Sequence, residues 1–471
     1  GKTPKAQPYI SPRFGFNYDV SGDKTTQIRG GAGVFLGRVP FVWPGGMFLN
    51  NGTNTGEVSA TALPDGGAIP FVPDPDNALD VTDFGRQASE LVPSGRLEIF
   101  ANDFRYPQVF RTSLAVDHEI GAGWIGTLEG QYTKTLNNIV VTNYNRKPAS
   151  TFLDGPDTRP VFVSSDVIDS RYSAIHWVGN TSDGYSFDVT GRLQKQFGDH
   201  WYASFSYTYG DAFAVNDGTS SQLNSLWRFV ENVDTANDPG MARSDFSLGS
   251  RVLALVSYRK EFLNNLATTF SLYYAGESGR PFSYSIGNSS RLVNEGGRNS
   301  SLFFIPESAS DLVFTDYDGL TPAQQASQLE TFINNNDYLS SHRGEYADRN
   351  GDRTPFESIL DLKIAQELFG NVAGRRQKVE VTLDIFNLTN LLNKDWGRRY
   401  LIPSDDRGDV GRFAVVRFER FQDAANGDYT PVYTFRNGDI TDQSDLFNTE
   451  LNDIGTYSSR WQIQFGVRYT F

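Results

Sequence analysis

The segment Trp461-Gln-Ile-Gln-Phe-Gly-Val-Arg-Tyr-Thr-Phe471 decides the fold. Trp461, Ile463, Phe465, Val467, Tyr469 and Phe471 share one parity, while Arg460, Gln462, Gln464, Gly466, Arg468 and Thr470 share the other. Side chains of a strand alternate between its two faces, so this segment has one apolar and one polar face. The apolar face carries rings at both ends, as expected of aromatic girdles flanking a lipid band. The charged and amide side chains of the other face suit a watery interior.

The same period of two recurs about ten times upstream. It places Phe14, Phe16 and Tyr18 on one strand, Ile28, Ala32 and Val34 on the next, then Phe110, Leu114 and Val116, and Leu128 and Tyr132. It continues through Tyr185–Leu193, Trp201–Tyr209, Val252–Tyr258, Phe270–Tyr274, Leu360–Ile364 and Val379–Ile385. Connections alternate as well. Short turns stand at Ser21-Gly22-Asp23, Gly121-Ala122-Gly123, Gly198-Asp199, Leu263-Asn264-Asn265 and Gly370-Asn371. Long polar loops span about 37–102, 146–171, 210–243, 287–353 and 394–456. Short turns at one end and long loops at the other are the layout of an outer-membrane barrel. The expected fold is all-β: a transmembrane antiparallel β-barrel with long extracellular loops.

Composition agrees. Of 471 residues, 38% are hydrophobic and 14% aromatic, and aliphatics are sparse for a set of soluble cores. No run of about 18 apolar residues exists, so no transmembrane helix is expected. There is no Cys, which removes disulfide scaffolds, thiolate metal sites and cysteine nucleophiles. A net charge of −14 argues against nucleic acid as a partner. The four His are scattered without metal-ligand spacing, and no catalytic triad or phosphate-cradling loop occurs. The expectation is therefore a protein with no enzymatic activity, no cofactor and no metal.

A family resemblance rests on particular segments. The closing Gln462–Phe471 strand resembles the C-terminal strand of outer-membrane barrels, whose last Phe, here Phe471, is the signal read by the barrel-assembly machinery. Leu383-Asp-Ile-Phe-Asn-Leu-Thr-Asn-Leu-Leu-Asn393 resembles a strand motif near the end of TonB-dependent transporters. Ser11-Pro-Arg-Phe-Gly-Phe16, Gln27–Phe35, Trp124–Gly130, Ser278-Gly-Arg-Pro-Phe282 and His342–Gly351 are similar to the Oar-like branch of that family. The resemblance implies a 22-stranded barrel in the bacterial outer membrane, contacting membrane lipid, with a plug domain inside. It implies active uptake of a ligand, possibly peptide- or protein-sized, driven by the TonB complex. A non-transporting barrel used for surface docking, adhesion or secretion stays open as the alternative.

Strand direction fits that plan. The first strand precedes a short turn and so descends, the tenth ascends, and the last descends again. About 11 strands are expected, the C-terminal half of the barrel, over residues 10–471, with 1–9 as a lead-in. The start, Gly1-Lys-Thr-Pro-Lys5, shows no signal-peptide pattern. An N-terminal half with the plug, on a separate chain or an upstream segment, is expected to complete the barrel and to contact TonB.

Three sets of residues are candidate sites. Trp461, Ile463, Phe465, Val467 and Tyr469 would face lipid. Arg111, Glu129, Asp188, Arg192, Arg251, Asp361, Lys363, Glu380, Asp384 and Arg468 would line the interior. Phe41, Trp43, Phe48, Trp227 and Phe229 put aromatic rings in extracellular loops, where they can contact a ligand or pack a loop on its neighbours. Asp348-Arg-Asn350-Gly-Asp352 has the first oxygens of a calcium loop, but Arg353 stands where Gly is needed and Ile359 where the bidentate Glu belongs. Surface-turn chemistry is the better reading there. Thr321, Pro322 and Gln324 predict a capped helix with an apolar face of Ala323, Leu329, Phe332 and Ile333. Phe413–Phe421 and Tyr429–Phe435 read as a hairpin above the membrane.

Overall fold

A computed structural model describes residues 7–53, 58, 60–91, 95–162, 167–263, 266–293, 295, 300–369, 378–402, 411–438, 440, 446 and 459–470. Eleven strands follow one another as an antiparallel meander. They are β1 (Arg13–Asp19), β2 (Thr26–Leu36), β3 (Gln108–Gly121), β4 (Trp124–Asn143), β5 (Gly184–Phe197) and β6 (Trp201–Ala214). The rest are β7 (Gly249–Leu263), β8 (Leu266–Glu277), β9 (Glu357–Phe369), β10 (Lys378–Phe386) and β11 (Gln462–Thr470). Every short connection lies at one end of the sheet and every long one at the other. Among the described residues the sheet does not close, since β1 pairs only with β2 and β11 only with β10.

Register carries one apolar face across the whole sheet. Val116 lies opposite Leu128, Phe205 opposite Leu193, Val256 opposite Leu272, Ile364 opposite Leu383, and Leu383 opposite Phe465. Large side chains on this face stay open to the surroundings, Phe465 and Val467 by about three quarters. A soluble sheet would bury that face against another layer; this one offers it to hydrocarbon. Gly30 shows how closely the strands are packed. A β-carbon there would lie 2.7 Å from the Ser113 carbonyl and 3.0 Å from the Phe16 ring, which crosses over it.

About 9–11 residues suffice for a strand to cross a membrane. β3 to β7 are longer and continue above it, where the loops fold into a cap. The upper part of β4, Asn138–Asn143, leaves β5 and pairs with the strand Tyr172–Thr181. That strand in turn lies parallel to Gly95–Phe100. A second, five-stranded sheet combines Val313–Phe314, Asp428–Thr434, Arg412–Asp423, Pro281–Gly287 and Asp352–Arg353. The hairpin expected at 413–435 is its middle, although its outer neighbours Val313–Phe314 and Pro281–Gly287 join it in parallel.

The helix Pro322–Asn334 packs on this sheet. Thr321 caps it and Gln324 returns the bond, which is the expected capping box. Leu329, Phe332 and Ile333 are buried as expected, but Ala323 is exposed and Gln325 is buried instead. Its amide makes that burial affordable: Nε2 donates to Thr315 O at 2.6 Å, and Oε1 accepts from Phe435 N at 2.9 Å.

The two faces of β11 make opposite predictions. Val467→Arg, near mid-strand on the apolar face, should destabilise the barrel by about 2–4 kcal/mol. Gln464→Arg on the polar face should cost less than about 1 kcal/mol. Heat-modifiable mobility and urea midpoints of the folded protein in detergent measure both.

Candidate functional site

The cap contains two hydrophobic cores and one charged cleft. The first core joins Phe282, Tyr284 and Ile286 to Phe303, Ile305, Leu329, Phe332, Val415 and Phe435. The second joins Val39, Trp43 and Met47 to Phe100, Phe104, Ile139, Val141, Val178, Leu226 and Trp227. Between the loops runs a cleft with two lobes, of about 430 and 660 Å³, that share Thr219, Phe229, Glu231 and Asp245. Asn216, Asp217, Ser225 and Arg349 line one lobe; Phe246, Arg280, Tyr400 and Arg412 line the other.

The charges are mutually held. Arg412 ion-pairs with Glu231 and donates to the Phe229 carbonyl. Asp217 accepts from Ser244 Oγ at 2.7 Å and from Asp245 N at 2.9 Å. The Asp245 carboxylate opens on the cleft but is ringed by protein, and it accepts from Asn350 Nδ2 at 2.8 Å. That desolvation, helped by the charges of Glu231 and Asp217, holds the Asp245 carboxyl above the usual carboxylate range. The cleft can therefore offer acceptors, a guanidinium and aromatic faces to one polar ligand.

Its floor is a latch formed by residues 348–353. Buried Arg349 donates to the carbonyls of Val215 (3.1 Å), Gly240 (3.3 Å) and Ala214. Asn350 sits in the left-handed region at φ 56° and donates to Arg243 O at 2.9 Å, while Arg243 returns a bond to Asn350 O. Arg353 donates to the carbonyls of Ser247 and Gly279. The segment expected to be a surface turn thus ties the tops of β6, β7 and β8 together. Asp352 accepts from Tyr284 OH at 2.9 Å. No cluster of three or more acidic or His side chains suited to a metal occurs among the described residues.

The loop aromatics separate. Trp43 and Trp227 are only 4% and 3% exposed, with their indole N–H groups bonded to Ser220 O and to Asn237 Oδ1. Both rings are buried in the second core, the loop-packing alternative of the sequence reading. Phe229 does line the cleft. Phe41 and Phe48 are exposed on the flank of the helix Val42–Leu49, away from it. The cleft residues Glu231, Asp245 and Arg412 were not singled out in the sequence, because nothing in their local spacing marks them.

The charged residues expected to line the interior fall on the polar face, several of them in ion pairs. Arg29 bridges Asp117 and Glu129 at 2.9 and 2.8 Å. Asp384 pairs with Lys363 at 3.0 Å, Arg251 with Glu277 at 3.6 Å, and Glu380 with Lys378 at 3.1 Å while standing opposite Arg468. Arg111 donates to Thr133 Oγ1, Arg192 donates to Gln194, and Asp188 stands opposite Gln131. Asp361 accepts from Asn387 N at 2.8 Å, which anchors the Asn387 turn after β10. Trp461, Ile463, Phe465, Val467 and Tyr469 are on the opposite, apolar side, while Phe471 lies outside the described residues.

With this geometry in view, the comparisons with known proteins can be read. A family model described as outer membrane beta barrel domain matches residues 3–395. The chain belongs to this outer-membrane β-barrel family. The barrel's place is accordingly the bacterial outer membrane. No curated protein matches the chain. Among solved structures, the barrel is similar to the outer membrane transporter YddB from Escherichia coli, at 10% identity and a TM-score of 0.38, over 81% of this chain and 37% of that one. A mutant of the ferric enterobactin receptor PfeA from Pseudomonas aeruginosa gives 9% and 0.38, over 85% and 37%. The siderophore receptor PirA from Acinetobacter baumannii gives 10% and 0.36, over 84% and 38%. The chain spans little more than a third of the length of these receptors.

Two outcomes follow for the cap. Arg349→Ala should leave three carbonyls without their donor and loosen the cap by about 2–3 kcal/mol, with Arg349→Lys recovering part of the loss. Limited proteolysis of the loops measures it. The second concerns His176, fully buried beside the Trp227 ring, with neither ring nitrogen bonded to protein. Burial, with Arg96 and Arg228 adding repulsion, pushes the imidazole down to about 3. The unfolded state then binds the extra proton between that value and the ordinary 6.5, so this group makes stability rise with pH across the window and level off above it. Buried Glu98, its carboxyl raised by desolvation, acts in the opposite sense, so the readout is the difference between parent and His176→Phe. The parent should lose up to about 1.4 kcal/mol more per pH unit on acidification. Tryptophan-monitored urea titrations from pH 4 to 8 test this.

Proposed function

We propose that the protein is a TonB-dependent outer-membrane transporter that captures a ligand in the cap cleft and passes it through a plugged barrel. The observation that carries this reading is the cap. Loops from three connections, β6 to β7, β8 to β9 and β10 to β11, converge to line a charged, aromatic cleft. A pore that only admits small solutes has no need of such a receptor surface. The resemblance of Leu383–Asn393 and of the Oar-like segments to the transporter family supports the same assignment.

The open sheet belongs to this proposal. Unpaired backbone groups of β1 and β11 at membrane depth would each cost several kcal/mol. Strands from outside this sequence, on the same or another polypeptide, complete the barrel and bring the plug and its contact to TonB. Chemistry on the ligand is not part of the role, and the cleft size suits a peptide segment.

Uptake can be measured directly. Cells carrying the intact protein are offered a defined mixture of peptides, and accumulated peptides are identified by mass spectrometry. Accumulation should require the protein and vanish when a protonophore collapses the inner-membrane gradient, while surface binding persists. Accumulation that survives the protonophore sinks active transport; binding with no accumulation at all favours the docking role. Phe229→Ala should weaken surface binding about tenfold, corresponding to about 1.4 kcal/mol of lost ring contact.

A further inference from the structure

The lipid face of the sheet is not uniformly filled. Across β3 to β6 it carries a groove of about 620 Å³, walled by Val116, Leu128, Leu193, Phe205 and Tyr207. Two glycines stand on that face, but only Gly191 is open, because the Ile120 side chain lies over Gly126, where a β-carbon would be 2.9 Å from its Cδ1. Gly126 lies opposite Leu193, and Gly191 lies opposite both Leu128 and Tyr207. A β-carbon at Gly191 would meet nothing within 4 Å. Inside a protein such a trough would lose packing contacts outright. Here it faces hydrocarbon, where a flexible chain of methylenes can lie in it and touch three walls.

Just beyond the groove, toward the short turns, the same face carries a cation. Lys195 is on the same face as Leu193 and Gly191, two residues closer to the turn, and stands opposite Trp124 and Ala203. Its ammonium lies 4.7 Å from the Phe197 ring centroid and 5.4 Å from that of Trp124. These rings meet edge to face at 5.5 Å and form part of the aromatic girdle. Among the described residues no carboxylate pairs with Lys195, unlike the coupled charges of the polar face. His118, bonded to Thr26 Oγ1 at 2.9 Å, edges the same groove. The rings fix the lysine stem, and the ammonium is held at headgroup level with its charge uncompensated.

We propose that this surface is a binding site for one anionic phospholipid, with an acyl chain over Gly191 and against Ile120 and the phosphate at Lys195. The apolar trough and the cation stand in the order in which a lipid presents its chain and headgroup. An anion at that depth can come from the membrane itself, because the site opens sideways into the bilayer. The inference uses the established barrel and its lipid face, and it does not depend on transport.

The test uses the intact protein, extracted in mild detergent and titrated with phosphatidylglycerol or phosphatidylcholine, with bound lipid counted by native mass spectrometry. The parent should retain phosphatidylglycerol about fivefold better, the ratio expected of one lysine at an anionic headgroup. Lys195→Gln should bring the ratio close to one while lipid still binds. Gly191→Leu, which fills open space, should lose the retained lipid of both kinds, with heat-modifiable mobility showing that the barrel is intact. Equal retention of the two lipids by the parent overturns the proposal. So does a preference that survives Lys195→Gln, or lipid retention unchanged in a folded Gly191→Leu protein.

Discussion

Hydrocarbon offers no hydrogen bonds, so every peptide group of a crossing segment must find its partner within the sheet. This constraint organises the rest of the molecule. It imposes an unbroken antiparallel ladder from β1 to β11 and a strict period of two along each strand. It also governs where the ladder may falter. The register shifts at Glu119/Gly121, Glu261/Leu263 and Glu367/Phe369 all sit next to short turns, and the one at Gln108/Val109 sits at the loop end. At those ends water or a turn can take up the peptide groups that a bulge leaves unpaired.

Above the membrane the rule changes. Water returns, and burial of apolar surface again drives folding. The loops respond as a soluble domain would, building two cores and a sheet with parallel pairings that the barrel itself never uses. Arg349, Asn350 and Arg353 connect the regimes by spending their donors on carbonyls where β6, β7 and β8 run out of partners. The cleft results from this arrangement, since its acidic and basic groups come from loops far apart in the chain.

Charge follows the same division. On the polar face several acids and bases pair with one another, most of them across strands. Lys195 departs from this, a cation on the apolar face whose neighbours are rings and a trough instead of carboxylates. That contrast is what makes a lipid the fitting counter-charge.

All eleven barrel strands, the short turns at 21–23, 121–123 and 198–199, the 413–435 hairpin and the capped helix at 322 were legible in the sequence; the turns expected at Asn264-Asn265 and Gly370-Asn371 lie outside the described residues. Each depends on neighbours a few residues away: alternation for a strand, a Gly-rich turn, a Thr-Pro-x-Gln start for a helix. Tyr172–Thr181 and Pro281–Gly287 were not legible as strands, because the partners that define them lie far along the chain and the second is buried on both faces with no alternation to read. For the same reason the sequence left open whether Trp43 and Trp227 contact a ligand or pack a loop, and Glu231, Asp245 and Arg412 passed unnoticed. The sequence alone determined the barrel wall, since a lipid-facing strand writes its environment into every second residue. Only the tertiary structure decided the cap, the cleft and the lipid groove, because those arise where distant segments meet and local periodicity carries no record of the meeting.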